Sequence, residues 1–91
     1  MTWRIEFERS AARELDKLDP QVARRILRFL RDRVTTGLED PRTLARPLKG
    51  STNETLWRYR VGDYRIIAIV EDTNLRVLVV KVGHRSEIYE R

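Results

Sequence analysis

The chain has 91 residues, and its 19 Lys and Arg side chains against 14 Asp and Glu give a net charge of +5 at pH 7. This length predicts one domain over residues 1–91 with a small core, because such a chain buries only about 60–65% of its unfolded surface. With no cysteine and one histidine, disulfides, thiol nucleophiles and most zinc sites are excluded. The sequence shows no signal peptide and no run approaching the ~20 apolar residues of a membrane span, so we expect a cytoplasmic protein.

The first third of the chain predicts a strand followed by two helices. Residues 3–7 alternate between apolar and charged side chains, the period of a strand with one buried face. From Ser10, a candidate N-cap, apolar residues recur at helical spacing over a short helix. Asp19-Pro20 predicts the N-cap and first turn of a longer helix that Gly37 can end. The apolar stripe of this second helix is predicted at Val22, Ile26, Phe29 or Leu30, and Val34.

The rest of the chain predicts a loop and then a β-meander. Residues 38–54 are rich in Pro, Gly and short polar side chains, a composition that suits a loop better than a regular element. Strands are predicted at 55–61, 64–71 and 75–82, and their connections are so short that the strands must be antiparallel. The fold class is therefore α+β: an N-terminal strand, a helical hairpin and a three-stranded meander in one mainly antiparallel sheet, with the helices on one face.

The positive charge is concentrated in the second half of the chain. Residues 1–41 carry nine basic and eight acidic side chains, whereas residues 42–91 carry ten and six. Neutralising phosphates with basic side chains releases counterions, so a local basic excess favours a polyanionic partner. The composition allows RNA, DNA or an acidic protein segment in this role.

The first hairpin of the meander places arginines on one face of the sheet. Alternation puts Arg58 and Arg60 on the same side of their strand. If Gly62-Asp63 forms a two-residue turn, Arg65 stands directly opposite Arg60 on that side. Like charges opposite each other destabilise a sheet, and no carboxylate of the hairpin faces them in this register. Two interpretations stay open, namely ordinary solvated charges on an exposed sheet face and a functional cation cluster.

The segment after the last predicted strand adds side chains that metal-free RNA cleavage can use: His84, Arg85 and Tyr89. RNA carries its own nucleophile, so an enzyme must orient the 2′-hydroxyl, remove its proton, stabilise the phosphorane and protonate the leaving oxygen. Arginine binds phosphate oxygens well, but its high pKa makes it a poor base. Histidine and tyrosine can transfer the proton or stack on a base. The alternatives are a structural strand-end position for His84 and a plug of the core for Tyr89.

Three stretches together resemble the toxins of the RelE/ParE superfamily, the toxin halves of type II toxin-antitoxin pairs. They are Leu48-Lys49-Gly50, the run from Leu56 to Ile67, and Val82-Gly83-His84-Arg85 with Tyr89. The resemblance spans essentially the whole chain, and its most specific parts are the Gly-Asp-Tyr-Arg of the hairpin and the distal Val-Gly-His-Arg. It implies the RelE-like microbial ribonuclease fold.

For function, the resemblance implies an mRNA interferase that cuts messenger RNA in the ribosomal A site without metal or cofactor. Matched by position, the site residues of RelE-type toxins fall on Arg58, Arg60, Arg65, Arg85 and Tyr89. Where well-studied RelE toxins carry two lysines on the first hairpin strand, this chain has Leu56 and Arg58. A lysine proposed as base is thus missing, and the general base stays open between His84, Tyr89 and the ribosome.

Two further basic groups are candidates for RNA contact. The group on the second helix lies opposite the apolar stripe and consists of Arg24, Arg28 and Arg31. The group in the central segment consists of Arg42, Arg46 and Lys49. The alternative for the helix is a solvated face with some pairing to Asp32. Phosphate contacts in either place would make binding fall steeply with salt.

The middle strand of the meander, residues 66–70, is apolar on both faces, although the helices can cover only one. The C-terminal segment or a partner should cover the other face. The resemblance implies a RelB-like antitoxin with an acidic segment, in a possible heterotetramer, besides the ribosome and mRNA; no membrane contact is expected.

Three functions compete at this point. The leading one is a ribosome-dependent mRNA endoribonuclease, on the strength of the five matching residues. The second is a ParE-like inhibitor that binds DNA gyrase, in which the arginines would be recognition groups. The third is a toxin-derived module that has lost activity.

Overall fold

A computed structural model describes residues 3–35, 40–48 and 55–88 of the chain. Its strands are β1 (Arg4–Phe7), β2 (Ala45–Leu48), β3 (Leu56–Val61), β4 (Tyr64–Glu71) and β5 (Arg76–His84). They form one sheet in the order β1-β5-β4-β3-β2. β1 pairs with β5 in parallel, and the other three pairings are antiparallel. The α+β class and the three-stranded meander predicted from the sequence are confirmed.

The helices of the described residues are α1 (Arg9–Asp16), α2 (Pro20–Phe29) and the short α3 (Arg85–Ile88). A π-helical segment, Leu30–Thr35, continues α2; its predicted end at Gly37 lies outside the described residues. Within the described ranges, no helix has the length and hydropathy that crossing a bilayer requires.

The two long helices begin in different ways. α1 begins at Arg9, so the prediction of Ser10 as its N-cap was wrong. Glu8 takes the cap position instead, because its backbone N–H still donates to the carbonyl of Val79 and the helix starts as soon as this pairing ends. The Asp19 cap is confirmed: its carboxylate accepts the N–H of Gln21 at 3.4 Å.

The apolar faces of α1 and α2 pack on one face of the sheet. Tyr59 is fully buried there, and its hydroxyl donates to the carbonyl of Pro41 at 2.7 Å. Burial raises the pKa of this phenol. The predicted apolar stripe of the second helix is confirmed, and Tyr59 of β3 packs in the same core. The buried cluster consists of Ala11, Ile26, Leu30, Val34, Tyr59, Val61, Ile66, Ala68, Val77, Val79 and Val82.

The segment predicted as a loop contains regular structure. A 3-10 helix, Pro41–Leu44, leads into β2, which pairs with β3 at the edge of the sheet. The loop prediction was therefore wrong for these residues, and residues 49–54 of it lie outside the described part of the chain. Pro47 is tolerated in β2 because an edge strand has one side on which no N–H is needed.

The short helix α3 lies on the other face of the sheet. Gly83 pairs with Arg65, and a Cβ added at Gly83 would lie 3.1 Å from Cγ1 of Ile88. Ile67 and Ile88 are 5% and 2% exposed although neither belongs to the core under α1 and α2. The C-terminal segment therefore covers part of the second apolar face, as expected, whereas α1 and α2 pack on the first.

Candidate functional site

The β3–β4 hairpin has the register that the sequence predicted. Arg60 pairs directly with Arg65, and Val61 pairs with Tyr64. Gly62 in the turn has φ +59°, a left-handed conformation that glycine adopts without steric cost. Because residues opposite each other on paired strands point to the same side, the two arginines share the sheet face that lies away from α1 and α2.

These arginines line an open cleft of ≈ 440 Å³. Its lining consists of Arg58, Arg60, Arg65, Arg85 and Ser86. The backbone N–H of Arg85 donates to the carbonyl of Asp63 at 2.8 Å, which ties the start of α3 to the hairpin turn. Two distant segments of the chain therefore bring four guanidinium groups to one place.

The cleft is rich in uncompensated positive charge. No carboxylate occurs among the described residues that line it. Burial and then the charges of Arg60, Arg58 and Arg85 lower the pKa of Arg65. Nη1 of Arg65 donates to the carbonyls of Gly62 and Tyr64, at 3.1 and 2.9 Å. The like-charge arrangement predicted from the hairpin is thus present in the structure.

Arg58 carries a buried donor without a partner. Its Nε is shielded from solvent and makes no hydrogen bond with the described residues. An unsatisfied buried donor costs about 1–3 kcal/mol, and more when the group is charged. An oxyanion bound in the cleft would offset the repulsion between the four guanidinium groups.

Arg46 extends the cationic surface beside the cleft. It pairs directly with Arg58 across β2 and β3, so its exposed side chain lies on the same sheet face. The sequence suggested Arg46 as an RNA contact within a loop, whereas the structure places it on a strand next to the cleft.

His84 lies on the opposite face. Its partner is Tyr64, whose ring it meets edge-on at 5.4 Å between centroids. Nδ1 of His84 accepts the N–H of Ser86 at 3.1 Å and lies 2.9 Å from Oγ of Ser86. This geometry caps the first turn of α3. His84 does not line the cleft and reaches it only through Ser86, so its catalytic role stays a prediction.

Arg42 is engaged in holding the fold. Its Nη2 lies 2.6 Å from Oδ2 of Asp72, and its Nη1 lies 3.0 Å from Oδ1 of Asp40. Its Cζ lies over the ring of Trp57, 5.8 Å from the ring centroid. The hydrogen bonds from Arg42 to Asp72, ahead of those to Asp40, raise its pKa. The structure does not bring Arg42 to the cleft, although the sequence suggested it for RNA contact.

The helix arginines divide into three kinds. Arg24 is exposed and lines neither the cleft nor the neighbouring groove. Arg31 pairs with Asp32 at 2.8 Å, as the alternative interpretation predicted. Arg28 lines a groove together with Arg25, a residue that the sequence reasoning missed.

A sequence signal for Arg25 did exist. It lies three residues after Val22 and four before Phe29, at the border of the apolar stripe, where a long side chain can reach a neighbouring element. Two predicted site residues, Lys49 and Tyr89, lie outside the described residues. Across the described ranges, no group of three or more His, Asp or Glu side chains is placed to hold a metal ion.

Comparison with known proteins agrees with this fold. A family model for the "ParE toxin of type II toxin-antitoxin system, parDE" matches residues 5–89. The toxin RelG of Mycobacterium tuberculosis is 28% identical over the full length of both chains. The mRNA interferase toxin RelE of Escherichia coli is 31% identical, covering 98% of this chain and 92% of its own.

A solved structure shows the same architecture. The crystal structure of the toxin-antitoxin complex RelBE2 from M. tuberculosis superimposes with a TM-score of 0.81 at 23% identity, covering 94% of each chain. The protein class defined by these matches is that of the type II toxins. More narrowly, the chain belongs to the RelE/ParE superfamily, which confirms the resemblance predicted from the sequence.

Proposed function

We propose that this toxin is a ribosome-dependent endoribonuclease that cleaves mRNA in the ribosomal A site without a metal ion. The observation that carries the proposal is the cleft itself, in which Arg58, Arg60, Arg65 and Arg85 meet with no carboxylate among the described lining residues. The name of the E. coli relative, an mRNA interferase at 31% identity, supports the same activity. The reaction would take place in the cytoplasm, where messages are translated.

In the proposed reaction, the 2′-oxygen of one nucleotide attacks the phosphorus of the adjacent phosphodiester. The O2′–P bond forms as the P–O5′ bond breaks, which leaves a 2′,3′-cyclic phosphate and a 5′-hydroxyl. Charge develops on the non-bridging oxygens in the transition state, and preorganised guanidinium donors stabilise such charge most strongly. The guanidinium groups of the four arginines that line the cleft, Arg58, Arg60, Arg65 and Arg85, are the donors that would serve these oxygens.

The proton transfers need other groups, because the guanidinium group of arginine stays protonated at neutral pH and therefore cannot accept a proton. Tyr89, suggested by the resemblance, and His84 are the candidates in this chain. Since His84 contacts Ser86 and not the cleft, we expect Tyr89→Phe to slow cleavage more than His84→Asn. Single-turnover cleavage rates on programmed ribosomes would rank the two. Equal rates for both variants and the wild type would leave proton transfer to the ribosome.

Primer extension on a message in a translating extract tests the activity. We expect breaks within A-site codons with the wild-type toxin and none with Arg65→Ala, while the exposed Arg13→Ala on α1 should cleave normally. An intact message with wild-type toxin would refute the proposal. The metal-free chemistry has its own test: a sulfur at the non-bridging positions of the scissile phosphate should slow cleavage without rescue by Mn²⁺ or Cd²⁺.

We also propose that a RelB-like antitoxin binds this chain through an acidic segment that neutralises the cleft. The family is named for type II toxin-antitoxin pairs, and the cleft offers four arginines to such a segment. Copurification with the product of a neighbouring acidic reading frame, followed by light scattering, would show the complex and whether it is a heterotetramer.

A second candidate is inhibition of DNA gyrase, favoured by the match to the ParE toxin model. The arginines would then contact the gyrase protein and no bond would be cleaved. Purified toxin that blocks gyrase supercoiling while leaving translated mRNA intact would support this function and exclude the first.

A further inference from the structure

A second arginine-rich surface lies beside the β3–β4 turn, between that turn and α2. It is a groove of ≈ 400 Å³ whose lining includes Arg25, Arg28, Phe29, Asp32, Arg33 and Arg60. Arg60 lines both this groove and the cleft described above. The two cationic surfaces therefore meet at one side chain, at the end of the sheet where the hairpin turns.

The guanidinium group of Arg25 lies close to the glycine of the turn. A Cβ added at Gly62 would lie 2.9 Å from Nη1 of Arg25 and 3.2 Å from its Cζ. The guanidinium group thus lies against the backbone of the turn, in the space that a side chain at position 62 would enter. This contact places a cation of α2 next to Arg60 and makes the groove a continuation of the cleft.

The charge balance of the groove is strongly positive. Four of its side chains are arginines, namely Arg25, Arg28, Arg33 and Arg60, against one carboxylate. That carboxylate, on Asp32, is paired with Arg31 at 2.8 Å. The hydrogen bond from Arg31, followed by the charges of Arg31 and Arg28, lowers the pKa of Asp32. With this one carboxylate against four arginines, the groove keeps an excess of positive charge for an external anion.

The groove also contains an aromatic ring. Phe29 is half-buried and packs edge-on against Tyr59, with 6.1 Å between centroids, while also lining the groove. A cationic groove with an aromatic wall is typical of sites for single-stranded nucleic acid, in which cations follow the backbone and the ring stacks on a base. An acidic peptide would need the arginines but not the ring.

We propose that this groove binds the single-stranded RNA next to the scissile phosphate, with Arg25, Arg28 and Arg60 on the backbone and Phe29 on a base. The proposal rests on the cleavage function proposed above, because it makes the groove the extension of that cleft. It assigns Arg25 a binding role and Arg24, its neighbour on the same helix, none.

Fluorescence anisotropy with 2′-O-methyl RNA, which cannot be cleaved, tests the groove separately from the reaction. Arg25→Ala should weaken binding of a dodecamer about tenfold and reduce the slope of log affinity against log salt concentration by about 0.7 for each phosphate that the variant no longer neutralises. A trinucleotide, which fits within the cleft, should bind Arg25→Ala and the wild type equally. Phe29→Leu should weaken the dodecamer alone by a few fold, and thermal melting would verify that each variant is folded.

Arg24→Ala is the matched control, since it removes the same charge from the adjacent position of α2. Equal losses for Arg24→Ala and Arg25→Ala would overturn the proposal by showing a diffuse charge effect. Loss of binding to a poly-glutamate peptide with no loss of RNA binding would also overturn it, in favour of a protein partner. No bond is broken in this binding assay, so its result does not depend on whether the protein cleaves mRNA. Failure of the groove proposal can therefore be told apart from failure of the proposed cleavage function.

Discussion

One face of the sheet carries arginines at both ends, but the surroundings of these arginines differ between the two ends. At the end where β5 begins, Arg76 donates to both oxygens of Glu71 and to Glu6, each at 2.8 Å. These bonds, led by that to Glu71, raise the pKa of Arg76, and the bond from Arg76 lowers the pKa of Glu71 to about 2. At the other end, burial and neighbouring cations lower the pKa of Arg65.

The difference separates arginines that pair with carboxylates of the fold from arginines that line the cleft without such partners. A guanidinium used for stability is accompanied by carboxylates that match its fork, as Arg76 and Arg42 show. The cleft arginines lack such partners among the described residues that line it. Like charges placed together in this way destabilise the free protein, which agrees with the binding role proposed for the cleft.

The largest effect is expected from Arg58→Met. Removing a guanidinium donor from the cleft should slow mRNA cleavage by roughly 100-fold or more. The same change removes a buried unsatisfied donor, so we expect unfolding free energy to rise by about 1 kcal/mol. Cleavage in a translating extract and urea denaturation measure the two quantities. Loss of stability together with loss of activity would show that Arg58 serves the fold.

Arg76→Met, the same substitution at the other end of the sheet, should give the reverse result. It leaves Glu71 and Glu6 without their shared partner, so the melting temperature should fall while cleavage at moderate temperature stays unchanged. Differential scanning calorimetry beside the cleavage assay would show this. If folded Arg76→Met cleaves as slowly as Arg58→Met, the distinction between structural arginines at one end of the sheet and cleft arginines at the other is wrong.

The acid limb of stability should depend on Glu71. Its pKa in the folded protein is about 2, lowered from 4.5 by the bonds from Arg76 and Asn74, so its contribution is complete above about pH 4.5 and disappears as the pH falls toward 2. Urea midpoints of the wild type and Glu71→Gln should therefore converge over this window. Glu8→Gln, at an exposed carboxylate outside the described ion pairs, is the control. A difference in urea midpoint that stays constant with pH would contradict the lowered pKa of Glu71.

The smallest effect is expected at Arg46, which pairs with Arg58 on the rim of the cleft. Arg46→Ala should weaken binding of non-cleavable RNA a few fold and reduce the salt slope by about 0.7, the value for one phosphate contact. Arg42→Ala should leave that slope unchanged and lower stability, because Arg42 is already paired with Asp72 and Asp40. RNA titrations at several salt concentrations would give the salt slope of each variant. Identical slopes for Arg46→Ala and Arg42→Ala would contradict the assignment of a phosphate contact to Arg46 alone.

Much of the fold and half of the site could be predicted because they depend on local rules. The turn at Gly62-Asp63 and the alternation along β3 and β4 determine the register that brings Arg60 opposite Arg65. The helical period of residues 22–34 likewise determines which side of α2 is buried. Neither inference needs knowledge of a distant part of the chain.

The remainder depends on irregular or long-range structure. β2 has no clear period and contains a proline, and it becomes a strand through its pairing with β3. Val80 is an extra residue between the paired positions Val79 and Lys81, so β5 changes face there and His84 lies away from the cleft. The contact of Arg25 with Gly62 arises only when α2 packs beside the turn. No pattern in the sequence indicates the first two features. For the third, the helical period places Arg25 at the border of the apolar stripe but does not tell which element its side chain reaches.

Gly83 affects how closely α3 packs against the sheet beside the cleft. Cγ1 of Ile88 and Oε1 of Glu87 would lie 3.1 and 3.2 Å from a Cβ at this position, so an alanine would require these side chains of α3 to shift by a few tenths of an ångström. Arg85 begins that helix and is one of the arginines of the cleft. The absence of a side chain at Gly83 thus lets α3 lie close to the sheet, beside the hairpin arginines. Protein engineers who wish to widen the cleft without altering its charge have one position at which to start.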